Sequence, residues 1–72
     1  MQATWTEDGR KHIAMVGGMQ IGRITVMMAK IDSPFLAVSE NGMVKHFSLL
    51  FHAKAWIEDL YADIADSIEN EQ

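Results

Sequence analysis

The chain has 72 residues, 49% of them apolar and 22% charged, with no cysteine and a formal charge of −4. This size allows one small domain, and the apolar content excludes a disordered tail. The missing cysteines exclude a disulfide framework and a thiolate metal site. No segment resembles a signal peptide or a membrane span. A core this small gains little more than about 3–5 kcal/mol by itself, so a partner chain is an early expectation.

From the N-terminus, the first 47 residues read as strands. Three dipeptides that accept the positive φ angles of tight turns divide them: Asp8-Gly9, Gly17-Gly18 and Asn41-Gly42. The β-branched, aromatic and Met-rich runs between them predict strands near 3–7, 10–16, 19–29, 35–40 and 43–47. The longest connection is Lys30-Ile31-Asp32-Ser33-Pro34, because proline cannot donate to a ladder. The expected sheet is an antiparallel meander of three to five strands.

After Ser48 the period becomes helical. Ser48 is the expected N-cap. Ala53, Ile57, Leu60, Tyr61, Ile64, Ala65 and Ile68 then form one apolar stripe at about 100° per residue. The helix is expected from about 49 to 69. The whole chain, 1–72, is therefore read as one α+β domain, with a C-terminal amphipathic helix packed on one face of the sheet.

One helix covers one face, so the other face should be polar at alternate positions. It is not. Met27 and Ile21 oppose Ile24, Val26 and Met28, while Leu36 and Val38 oppose Phe35 and Ala37. Ile13 and Met15 oppose Ala14 and Val16. A strongly twisted sheet that wraps its own edges, with surplus hydrophobes exposed, is one reading. The other is a face covered by another molecule, with a homodimer as the simplest case. Met27, Met28, Leu36 and Val38 are the candidate residues for that contact.

Charge is segregated as well. Residues 1–47 carry five basic and four acidic side chains, whereas residues 48–72 carry Lys54 against six acids and sum to −5. Glu58, Asp59, Asp63, Asp66 and Glu69 crowd the C-terminal half of the helix, where the dipole disfavours them. Solubility is the ordinary cause of such a face. The functional alternative is an acidic ridge that enters a basic groove of a partner, with Trp56 beside it as an anchor.

Catalytic patterns are missing. His12, His46 and His52 lack metal-site spacing, and the serines lack the glycine context of a nucleophile elbow. Gly17-Gly18 with Gly22 is not a phosphate loop, because no Lys-Ser/Thr follows. The expectation is a non-enzymatic protein with no catalytic residue, no metal and no cofactor.

Trp5 with Gly9, the Gly17-Gly18 hairpin, the Ile21-Gly22-Arg23 strand and the Phe47-Ser48 to Ala53-Lys54-Ala55-Trp56-Ile57-Glu58 helix entry resemble small phage and prophage accessory proteins. Such proteins include inhibitors of host defence, among them anti-CRISPR proteins, and many block a nucleic-acid-binding surface. The resemblance implies a cytoplasmic protein of the bacterial host cell that binds and inhibits a host protein, such as a CRISPR or other nucleic-acid-handling complex. A sheet plus helix is also similar to the DNA-binding modules of plant AP2 proteins and phage integrase arms. That likeness implies nucleic-acid contact through Arg10, Lys11, Arg23 and Lys45. The pI of about 5.1 and the apolar second face depart from the pattern. A structural homo-oligomer is the remaining alternative.

Overall fold

A computed structural model describes residues 3–28 and 32–70, with side-chain surroundings through Asp63. Five strands form one antiparallel sheet in the order β1-β2-β3-β4-β5: β1 Thr4–Asp8, β2 Lys11–Val16, β3 Met19–Val26, β4 Phe35–Ser39 and β5 Val44–Phe47. One helix, α1 Leu50–Asn70, packs on β3, β4 and β5. The α+β meander-and-helix architecture is the expected one, with the full five strands. β3 stops at Val26 instead of running to 29; beyond it the Met27 N–H donates to the Pro34 carbonyl at 2.6 Å, which closes the β3–β4 connection.

The turns follow from glycine. Gly17 and Gly18 both have positive φ, 56° and 83°, and connect the paired residues Val16 and Met19 as a type I′ turn. The first turn is shifted from the expected dipeptide. Asp8 pairs with Lys11, so the loop residues are Gly9 and Arg10, and only Gly9 has positive φ. The third is longer than two residues. Gly42 N–H donates to the Ser39 carbonyl and Ser39 N–H to the Met43 carbonyl, giving a three-residue loop with Gly42 at φ 90°. The buried Ser39 hydroxyl accepts the Met43 N–H at 3.0 Å and donates to the Asn41 side-chain oxygen.

Helix entry differs by one residue from the expectation. The first helical bond runs from Ala53 N–H to the Leu49 carbonyl, at 3.3 Å. Leu49 therefore occupies the cap position and Ser48 precedes it.

The core is built on small residues. Trp5, Ala14, Gly22 and Ser39 stand side by side across β1 to β4, on the face toward α1. Ile24 and Ala37 form the next row. Ala14, Ile21, Ile24 and Ala37 of the sheet meet Ala53 and Ile57 of the helix, and all six are buried. A β-carbon on Gly22 would lie 2.8 Å from Ile57 Cγ2, so this glycine lets the helix approach.

Ile21 corrects a parity argument. Ala14 pairs with Gly22 and Met15 with Gln20, which leaves Ile21 unpaired with β2 in a β-bulge. The extra residue turns Ile21 into the core, although alternation assigns it to the opposite face. Its carbonyl accepts the Glu40 N–H at 3.0 Å.

Candidate functional site

Two surfaces stand on opposite sides of the molecule. The first is the sheet face away from α1. Register places Thr6, Ile13, Arg23, Val38 and Val44 in one row across all five strands. Asp8, Lys11, Thr25, Leu36 and His46 form the adjacent row. Ile13, Met15, Leu36 and Val38 are half-buried, and Val44 is 58% exposed. Arg23 is exposed on the central strand, with aliphatic neighbours on either side. No helix lies over this face among the described residues.

Of the four apolar candidates, Leu36 and Val38 belong to this face. Met27 lies just past the end of β3, half-buried, and Met28 is 67% exposed in the connection beyond it. Ile13, Met15, Val44 and His46 are part of the face but were not among the site candidates. The alternation of Ile13 and Met15 against Ala14 and Val16 was the signal for two of them.

The basic candidates divide. Lys11 and Arg23 are on the open face. Lys45 pairs with Ala37, on the helix side, where its ammonium stands 5.4 Å from the Phe47 ring centroid. Arg10 is a turn residue whose carbonyl accepts the Val26 N–H at 2.8 Å. The aromatic rings of Trp5, Phe35 and Phe47 all face α1 and pack on the core. Among the described residues the open face carries no Trp, Tyr or Phe ring of the kind on which single-stranded nucleic acid stacks, and His46 is the aromatic side chain there.

The second surface is the outside of α1. Phe51, Ala55, Asp59 and Asp63 are all exposed and follow one another at four-residue spacing, which makes a single ridge. Phe51 is 64% exposed and its ring lies 4.2 Å from that of His52. Asp66 and Glu69 are on α1, but their side chains lie outside the described residues.

Glu58 is not on this ridge. Its carboxylate accepts the Trp5 indole N–H at 2.8 Å, and Lys54, one helical turn earlier, stands 5.2 Å above the same indole. This pair holds Trp5 against the helix across the small residue Ala14. The i, i+4 spacing of Lys54 and Glu58 is legible in the sequence; their shared target 53 residues from Glu58 is not. Trp56 lies on the opposite flank, half-buried, with its ring 5.7 Å from Phe47.

The remaining chemistry is dispersed. His46 is on the open sheet face and His52 on the outer side of α1, so the sheet separates them. Met19, Gln20, Ile21, Glu40, Asn41 and Tyr61 line an open cleft of about 250 Å³, which brings together neither a nucleophile and base nor two carboxylates. Among the described residues no helix is long and apolar enough to cross a membrane. Comparison with known protein families, curated proteins and solved structures finds no match.

Proposed function

We propose that this chain is a non-enzymatic interaction protein that docks on a host protein and inhibits it, in the manner of small phage-type inhibitors of nucleic-acid-handling complexes. The open face of the sheet carries the reading: an aliphatic surface of Ile13, Leu36, Val38 and Val44 around Arg23, with no layer over it among the described residues. Contiguous apolar area of this kind is the usual mark of a contact surface. Asp59 and Asp63, on the far side, supply an electrostatic contact with a basic groove.

The test is affinity capture from bacterial lysate with wild type and two folded variants. Leu36→Gln/Val38→Asn should lose the captured protein. Asp59→Lys/Asp63→Lys should weaken it, and a DNA oligonucleotide should compete for it. Capture indifferent to both variants overturns the proposal.

Lys11 and Arg23 on one face favour nucleic-acid binding as the second reading. Fluorescence anisotropy with single-stranded and duplex oligonucleotides tests it. Affinity that falls steeply with salt and is lost in Arg23→Ala would replace the first reading.

A further inference from the structure

We infer that the two surfaces are complementary to each other and that copies of this chain associate head to tail, the outer ridge of α1 in one copy seated on the open sheet face of the next. The inference rests on the open face being a contact surface.

Chemistry matches on the two sides. The ridge begins with Phe51 and Ala55 and continues into Asp59 and Asp63. The sheet face begins with Val44 and Val38 on β5 and β4 and continues into Arg23 on β3; on β2 Ile13 follows in the same row and Lys11 in the adjacent one. Along the diagonal from Val44 through Arg23 to Lys11, apolar meets apolar and carboxylate meets cation.

Dimensions match as well. Eight residues of helix separate Phe51 from Asp59, which is about 12 Å. Two strand spacings separate Val44 from Arg23, which is about 10 Å. Ala55 lies between Phe51 and Asp59 and allows close approach.

A face-to-face pairing of two sheets is the obvious rival. It is disfavoured because Arg23 occupies the middle strand of the face, so a two-fold arrangement sets two guanidinium groups against each other. The head-to-tail contact pairs Arg23 with carboxylates instead. Such a contact is heterologous, so a pair keeps one free ridge and one free sheet face, and each contact made uses up one of each. Assembly and target binding then use the same residues and exclude one another.

Sedimentation velocity up to ~1 mM chain, the range in which weak contacts appear, tests the inference. Two variants each remove one surface: Arg23→Gln/Val38→Asn on the sheet and Asp59→Lys/Asp63→Lys on the helix. Wild type should show a mass that rises with concentration. Each variant alone should be monomeric, with an unchanged circular-dichroism spectrum. An equimolar mixture should form a discrete dimer, because it holds one intact ridge and one intact sheet face. A wild type that stays monomeric overturns the inference, as does a mixture that stays monomeric while wild type associates. A monomeric wild type whose lysate capture is still lost in Leu36→Gln/Val38→Asn rejects self-docking and leaves the proposed function standing.

Discussion

At the scale of the single residue, Gly22 and Trp5 decide how the helix sits. A methyl group at position 22 would meet Ile57 Cγ2 at 2.8 Å and the Val38 carbonyl oxygen at 3.1 Å. Neither neighbour can move freely, since Ile57 is buried and Val38 is held in the ladder. Gly22→Ala is expected to destabilise the fold by about 1–3 kcal/mol, the usual cost of overpacking, read from the urea midpoint. Trp5 acts through its N–H as well as its ring. Trp5→Phe keeps the packing but leaves Glu58 without its donor; a loss of about 1 kcal/mol is expected, because the group is only partly shielded from water. Glu58→Gln, which keeps an acceptor oxygen, should cost less than Glu58→Ala in the same unfolding assay.

At the scale of the element, the hairpins and the helix entry carry the predictions. Gly17 and Gly18 have open space around them, so only backbone strain opposes a side chain there. Alanine at either position should cost roughly 1–2 kcal/mol, and Gly18→Asn should cost less, because Asn tolerates the left-handed region. The first turn of α1 lacks acidic residues, and Leu49 at the cap is 47% exposed. Leu49→Asp is therefore expected to stabilise the chain by about 0.5–1 kcal/mol, seen as a higher melting temperature. These elements also show what the sequence could convey. The glycine dipeptides and the 3.6-residue stripe of Ala53 and Ile57 are local signals, and they place five strands and one helix nearly where they stand. Ile21 escaped because a bulge is a property of two strands: only the pairing with Ala14 and Met15 reveals the extra residue. Glu58 escaped for a similar reason. Helical periodicity assigned it to the acidic side, and an indole from the far edge of the sheet claimed it. The open face was legible for Leu36 and Val38 by alternation. Arg23 was legible as a basic sheet residue, but its place at the centre of the face, between Ile13 and Val38, came only with strand order.

At the scale of the whole molecule, one helix on one sheet leaves a narrow margin. Ile57→Ala removes the helix residue seated at the close approach, at a cost of about 2–5 kcal/mol. A domain of this length has little more than that in total. The variant is expected to be largely unfolded at 37 °C by circular dichroism; a cooperative melt well above that temperature would show that the core does not depend on Ile57. The two tryptophans give a way to watch how the molecule comes apart. Trp5 reports the contact of β1 with one flank of α1, and Trp56 reports β5 at the other flank. Trp5 is on one edge strand, β1, and Trp56, on the helix, packs on the other, β5. α1 packs on β3 to β5, so the first strand is joined to it chiefly through a single indole. Local opening should therefore begin at that edge. In denaturant, the emission of a Trp56→Phe variant, which retains Trp5, should shift before that of a Trp5→Phe variant, which retains Trp56. Amide protons of β1 should exchange ahead of those in β3 and β4. The meander then unravels from its N-terminal edge, in the order in which it would emerge from a ribosome.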